Sequence, residues 1–475
     1  MTETVSIPLW LVIVGSVLAA WAVLKLLLLP GLRWYFRRRT DIVLSRINGQ
    51  LDVRLPTFKL TKRKVIIDRL VYDEKVQQVI EECCREEGIS SKEAMRKVRR
   101  YAKEIVPAFN AVVYFRFGSG LSKSLLRLLY RVRVGFVDEE GLAKVDPNSS
   151  VVFIMNHRSN VDYILVSYLA INRVALSFAV GEWARVWPIQ PLMRALGGFF
   201  VRRGSDALCR CVLERYVQMA AEGGVVQAVF PEGRLSRDGR LGAPKIGLLD
   251  YLLRSFDPDR GRDLVFIPVG VNYDRVLEDR SQLLALDQKA ERKSLPGIIK
   301  ITLSYVMHNF WLMLRGGWHR FGYAVVNFGT PISMREYAKK HGVDFRDLQK
   351  DVRIEKVREI AQDLMLTTGR MIPVVPVSLV AHVFAEDPEK AFSELEIKAR
   401  IQSLFGELEG RGVHVYVPRS DRGYAIEVGL RMLTLRHIVL EENGLYRAAP
   451  DEQLILRYYA NSIIQHFDSS VIESE

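Results

Sequence analysis

SSVVFIMNHRSNVD, residues 149–162, runs five apolar side chains straight into a polar loop and then into the start of a helical stretch. An apolar run this short, rich in β-branched residues and closed by Asn156, His157 and Arg158, reads as a buried strand that delivers its loop to the edge of a sheet. The same alternation repeats outward from it. RVALSFAV (173–180), GGFFV (197–201), GVVQAVF (224–230) and LVFIPVGV (264–271) read as further strands, and YAVVNFG (323–329) adds one more. Helices are expected between them near residues 160–171, 183–195, 205–222 and 244–255. This predicts an α/β fold: a mixed, largely parallel sheet flanked by helices, with its ligand loops after the strand ends.

On the N-terminal side, residues 65–106 carry helical periodicity with many charges, and Ser90 or Ser91 is expected to cap a helix. GLSKSLLRLLYRVRV (120–134) sets Lys123, Arg127 and Arg131 at four-residue steps between leucines. That spacing fits a basic amphipathic helix on an anionic leaflet, or equally a core helix with solvated basic edges. Ahead of it, 21 uncharged and mostly apolar residues lie between Glu3 and Lys25, enough to span a bilayer as a transmembrane helix. Arg33, Arg37, Arg38 and Arg39 follow, interleaved with Trp34, Tyr35 and Phe36, which places the rest of the chain on the cytoplasmic side of the inner membrane as a single-pass protein. After residue 335 helices dominate, with a hairpin expected around Asn443-Gly444. The expected division is a transmembrane anchor at 1–32, a helical membrane-proximal domain at 33–135, the α/β domain at 136–335, and a C-terminal helical domain with a β-hairpin at 336–475.

The 475 residues are ordinary globular material, 49% hydrophobic and 26% charged. A net charge of +13 calls for an acidic partner, which nucleic acid, an anionic membrane face and phosphorylated substrates all satisfy. Cys83, Cys84, Cys209 and Cys211 have neither a disulfide framework's spacing nor a zinc site's, and the histidines form no HExxH pair. No metal is expected.

Four stretches at strand ends carry candidate chemistry. In NHRSNVD (156–162), His157 has a side chain suited to taking a proton from an alcohol near neutral pH, and Asp162 is placed to fix its tautomer. Ser159 and Asp162 also have the spacing of a capping box. FPEGRLSRDGR (230–240) is a loop of glycines and arginines able to hold a phosphate, in which Glu232 needs an arginine or a hydroxyl as partner. GGFFVRR (197–203) ends in Arg202 and Arg203, and FIPVGVNYDR (266–275) ends in Tyr273, Asp274 and Arg275. As ends of strands in one sheet, the four would gather a base, a carboxylate and several arginines in one pocket.

These four blocks, in this order and near this spacing, resemble the motif blocks of the glycerolipid acyltransferases with their HxxxxD motif. VVNFGTPISMREY (325–337) and LRYYANSIIQHF (456–467) resemble features of the membrane-bound glycerol-3-phosphate acyltransferase branch, and the likeness covers residues 107–475. The resemblance implies that His157 is the general base and Asp162 its orienting partner. It implies that Arg203, assisted by Arg202, binds phosphate, that Glu232, Gly233, Ser236 and Arg237 bind substrate, and that Pro268 belongs to the acyl-donor site or its packing. The chain departs from the family pattern in one place: the arginine usually two residues after the Glu-Gly pair is replaced by Leu235, and Arg234 stands one position earlier.

The implied reaction moves a fatty acyl group from acyl-CoA or acyl-carrier protein to glycerol 3-phosphate, the first step of phospholipid synthesis, with no cofactor and no acyl-enzyme. Backbone N–H groups at the helix start after His157 are the expected oxyanion donors. The expected partners are glycerol 3-phosphate, the acyl donor and anionic lipids, and not nucleic acid. Dihydroxyacetone phosphate and 1-acylglycerol 3-phosphate are the alternative acceptors. A membrane-tethered binding module without catalysis is the reading of a different class, but it calls for aromatics interleaved with basic residues on a sheet face, and here the phenylalanines precede the arginines.

Overall fold

The structure, a computed structural model, describes residues 56–111, 113–170, 174–181, 184–187, 189–202, 204–284 and 320–468. The apolar N-terminal segment expected to span a membrane, and the basic cluster after it, lie outside the described residues. Among the described residues no helix is long and apolar enough to cross a membrane.

The main sheet holds β1 (Arg131–Val137), β2 (Ser150–Met155), β3 (Ser177–Val180), β4 (Gly198–Phe200), β5 (Gln227–Val229), β6 (Leu264–Tyr273), β7 (Tyr323–Phe328) and β8 (Ile332–Ser333). Their order is β1-β7-β6-β2-β5-β3-β4, with β8 also on β6. The β6–β7 and β6–β8 pairings are antiparallel and the others parallel, so the sheet is mixed and largely parallel, as expected. The central strands are buried on both faces, and their alternation assigns each side chain to a face. Val152 and Ile154 of β2 join Leu264 and Phe266 of β6 in one core. Phe153 and Met155 join Val265, Ile267 and Val269 in the other.

On the first face lie the N-terminal helices Arg63–Val71, Glu74–Glu87 and Ser91–Ile105, together with Ala207–Glu222, Gly247–Leu253 and Lys350–Met371. Ser90 is the cap: its Oγ accepts the Glu93 N–H at 3.2 Å. On the second face, helix Asp162–Ala170 shares its core with helices Pro376–Glu386, Glu394–Gly410, Arg422–Leu435 and Gln453–Asn461. The expected hairpin is β10 (Val439–Glu442) against β11 (Leu445–Ala448), which also pairs with β9 (Phe392–Ser393). Asn443 and Gly444 both have positive φ, 54° and 76°, the requirement of a tight two-residue turn.

One expectation fails. The basic amphipathic helix through Arg131 ends at Leu129, and Arg131–Val137 is edge strand β1, parallel to β7. RVRV alternates with a period of two, and the leucine spacing before it masked the change of period. Lys123 and Arg127 stay on the helix, while Arg131 reaches the hydroxyls of Tyr323 and Tyr424 at 3.3 and 3.4 Å. Of the stretch 183–195, where a helix is expected, Ile189–Ala195 is α-helix and the described residues 184–187 are not.

Candidate active site

The site grows from the end of β2. Beyond the last register pair, Met155 with Val269, the Asn156 amide continues the ladder by donating to the Val271 carbonyl at 2.9 Å and accepting the Val271 N–H at 2.8 Å. His157 therefore leaves the sheet from a fixed point. Its Nδ1 lies 2.9 Å from Asp162 Oδ2. A carboxylate only accepts, so the hydrogen is assigned to Nδ1 and the Nε2 lone pair is left available. The imidazole stacks on Phe230 at the end of β5, with centroids 4.1 Å apart and planes 25° from parallel. Its side chain keeps 18% exposure, whereas that of Asp162 has none.

Asp162 opens the helix Asp162–Ala170, and one of its oxygens serves two purposes. Oδ2 accepts the N–H of Arg158 at 2.7 Å and of Ser159 at 3.0 Å in addition to the imidazole. The reach-back of a capping box and the orientation of the histidine are thus the same contact. Oδ1 accepts from the Tyr273 hydroxyl at 2.6 Å.

The remaining amides of this loop are also engaged. The His157 N–H donates to Glu232 Oε1 at 2.7 Å, that of Asn160 to Glu278 Oε1 at 3.2 Å, and that of Val161 to Ser159 Oγ at 3.2 Å. With Arg158 and Ser159 given to Asp162, every main-chain N–H from 157 to 161 has an internal acceptor. The loop spends these five amides on holding its own shape, and the helix proper, where the oxyanion donors are expected, begins after them at Asp162.

Among the described residues Glu232 takes no arginine in an ion pair. Its second oxygen accepts the Gly242 N–H at 3.0 Å, so the carboxylate braces the loop of His157 on one side and its own loop on the other. Burial pushes its carboxyl up to about 7, against the pull of the His157 amide, the Arg158 charge and the Gly242 amide. Gly233 follows at φ +65°, where a side chain would be strained. The Ser236 N–H donates to the His157 carbonyl at 2.9 Å and its Oγ to the Arg240 carbonyl at 2.7 Å. Arg237 is half-buried in this loop. Arg234 is exposed and forms no ion pair with a described residue, and Lys245, whose stem lies 3.0 Å from where a Gly233 Cβ would stand, is in the same state.

The second block sits apart. β4 is the edge strand, three neighbours from β2, or about 14 Å at ordinary strand spacing. Arg202 is paired with Glu104 at 3.1 Å and lies over the Tyr101 ring, so its guanidinium faces the N-terminal helices. Arg203 lies outside the described residues. Pro268 is buried inside β6 beside Ile154, and its carbonyl accepts the Gly329 N–H at 2.8 Å.

The C-terminal region reaches the site. Buried Arg158 donates to the carbonyls of Gly239 and, at 3.0 Å, Ser462, and Asn461 Nδ2 donates to the Asp238 carbonyl at 2.9 Å. Sequence reasoning did not assign Arg158, Glu278, Phe230 or Lys245. Arg158 and Phe230 were within quoted blocks, but their roles depend on segments far along the chain. Tyr273 was noted only as a strand end.

The acyltransferase family model matches residues 136–272, and that of the glycerol-3-phosphate acyltransferase C-terminal region matches residues 309–472. A glycerol-3-phosphate acyltransferase of Pseudomonas aeruginosa (strain LESB58) is 30% identical over 426 residues, 86% of this chain and 49% of the relative. One from Xanthomonas axonopodis pv. citri is 26% identical over 456 residues, 92% of this chain and 48% of the relative. The chain thus spans about half the length of the curated relatives it matches. The solved 1-acyl-sn-glycerophosphate acyltransferase of Thermotoga maritima aligns over 64% of this chain and 97% of its own at 15% identity, with a TM-score of 0.28, too low to bear on the fold.

Proposed function

The chain belongs to the glycerol-3-phosphate acyltransferase family, and on that premise we propose that it transfers a fatty acyl group from a thioester donor to the primary hydroxyl of glycerol 3-phosphate. The observation that carries this reading is the 2.9 Å contact of His157 Nδ1 with buried Asp162 at a strand end, which leaves Nε2 to act as base. Nε2 takes the hydroxyl proton as the alcohol oxygen bonds to the thioester carbon. The tetrahedral intermediate then expels the thiolate, which takes the proton back from the imidazolium, giving 1-acylglycerol 3-phosphate and free thiol. Asp162 steadies the imidazolium between these steps. The oxyanion draws its donors from outside residues 157–161, whose amides are taken.

The cationic side of the loop after β5 supplies the phosphate contacts in this reading. Exposed Arg234 and Lys245, with Arg237, stand on the loop that is bonded to the His157 carbonyl through Ser236, so a phosphate held there presents its alcohol to the base. Arg202 contributes only by leaving Glu104, and Gly233 and Glu232 by shaping the loop. The donor is acyl-CoA or acyl-carrier protein, no cofactor takes part, and the N-terminal apolar segment anchors the chain in the inner membrane with its catalytic part on the cytoplasmic side, against anionic lipid.

The test is thiol release from palmitoyl-CoA by the purified full chain in detergent, with glycerol 3-phosphate, dihydroxyacetone phosphate and 1-acylglycerol 3-phosphate offered separately. Turnover that requires glycerol 3-phosphate and disappears in His157→Ala is expected. Preference for another acceptor would keep the chemistry and change the substrate. Silence with every acceptor, and with acyl-carrier-protein donors, would leave the binding-module reading.

A further inference from the structure

The two oxygens of Asp162 are unequally provided for. Oδ2 has the imidazole and two amides, whereas Oδ1 has a single donor among the described residues, the Tyr273 hydroxyl at 2.6 Å. We propose that Tyr273 is a positioning residue of this reaction, whose hydroxyl holds the Asp162 carboxylate turned toward His157. The proposal rests on the reading of His157 as the base.

Several features hold the phenol in place. Tyr273 is the last residue of β6 and pairs with Ala324 of β7, so its backbone is fixed by the sheet. The side chain is buried, and its ring lies against that of Tyr130 with centroids 5.2 Å apart. Tyr130 is itself fixed by donating its hydroxyl to the Arg275 carbonyl at 2.9 Å. The phenol therefore has no free volume in which to swing away from Asp162. Burial first, and then the Asp162 charge, push its ionisation well above the ordinary range, so it remains a donor throughout the working pH.

The other ionisable groups near it do not replace it. Glu278 is a second carboxylate, held by Ser159 Oγ at 2.7 Å and by Asn160, and it opposes further negative charge. Arg275 lies over the Phe321 ring, its guanidinium carbon 4.1 Å from the centroid. Without the phenol, Oδ1 would be a buried charged atom with no donor among the described residues. Its less dispersed negative charge would draw the imidazole proton more strongly, so that less of the free imidazole is present at neutral pH.

Tyr273→Phe deletes the hydroxyl and keeps the ring. In the full chain it should lower kcat by about tenfold at neutral pH, leave the KM of both substrates unchanged, and move the acid limb of kcat/KM to higher pH. In an Asp162→Asn background, measured by single turnover, the same change should alter the rate less than about twofold, because the effect passes through Asp162. Carbethoxylation of His157 by diethyl pyrocarbonate, followed by peptide mass spectrometry across pH, reads the same coupling without turnover, and its midpoint should also rise. A Tyr273→Phe protein whose carbethoxylation profile overlays the wild type overturns the proposal and reduces the tyrosine to packing. So does an equal loss in both backgrounds. Absence of turnover in the wild type would remove the acyltransfer reading, and the carbethoxylation profile would then decide the role of Tyr273 alone.

Discussion

Arg158 Nη2 donates to the main-chain oxygen of Ser462 at 3.0 Å, joining the loop that carries His157 to a residue 304 positions later. Its Nη1 donates to the Gly239 carbonyl, and the side chain is buried. One guanidinium thus ties together the loop of His157, the loop after β5 and the end of the C-terminal helix. The tie depends on a planar fork, which an ammonium cannot supply. Arg158→Lys is expected to leave one of the two carbonyls unpaired and to cost about 2–4 kcal/mol of stability. Activity should fall more than tenfold at a temperature where the variant is still folded. Urea unfolding beside kcat/KM measures both, and a wild-type midpoint with wild-type activity would show that the tie is dispensable.

Gly239 makes the same junction from the other side. It has φ +89°, and a Cβ there would stand 1.9 Å from the Tyr458 carbonyl oxygen, a backbone atom of the C-terminal helix. Neither the angle nor the neighbour can yield cheaply. Gly239→Ala should therefore lift helix Gln453–Asn461 from the loop, with a loss of about 3 kcal/mol or more. Hydrogen exchange should report it as lost protection in residues 453–461 and 236–242 together. Lost protection in the loop alone would mean that the helix docks independently.

The sheet and the contact of His157 with Asp162 were legible in the sequence because both depend on near neighbours. Val151 to Met155 announce a buried strand by composition, and His157 and Asp162 are close enough for one loop and one helical turn to bring them together. The chain did not announce contacts that depend on distant elements. The resemblance implied that Arg202 assists in holding phosphate, and nothing near it in the chain told of its pairing with Glu104, in a helix ninety-eight residues earlier. Glu232 looked like a carboxylate in search of an arginine, but two amides, 75 and 10 residues away, satisfy it. The β1 strand was lost to a run of leucines whose helical period continued to its first residue.

Arg234 and Lys245 flank Gly233, are exposed, and have no acidic partner among the described residues. Exposed cations of this kind, on a loop bonded to the His157 carbonyl, suit a phosphate that arrives from water. Alanine at either position should raise the KM for glycerol 3-phosphate about three- to tenfold with little change in kcat or in the donor's KM, and the variant's KM should vary less with salt than the wild type's, so that the gap between them widens as salt is lowered. Since neither side chain supports the fold, thermal midpoints should stay put. A matched rise in both substrates' KM would contradict the assignment and point to a surface shared by donor and acceptor.

Glu232 ties the loop's stability to pH. Burial raises its carboxyl from 4.5 to about 7 in the folded protein. A group that binds its proton more tightly folded than unfolded favours the folded state at low pH, so stability should fall as pH rises from about 4.5 to about 7 and level off above that. At about 1.4 kcal/mol per pH unit, the contribution across that window is about 3 kcal/mol at most. Asp274, buried between the N–H groups of Tyr323 and Val377 and also raised to about 7, adds a parallel slope. The Glu232 part is isolated by difference. Glu232→Gln loses one acceptor and should be less stable throughout, but its unfolding free energy should fall less steeply between pH 5 and 7 than that of the wild type, by up to about 3 kcal/mol over the full window. Parallel curves for the two proteins would mean that Glu232 stays ionised across the range, held so by its two amides and the charge of Arg158.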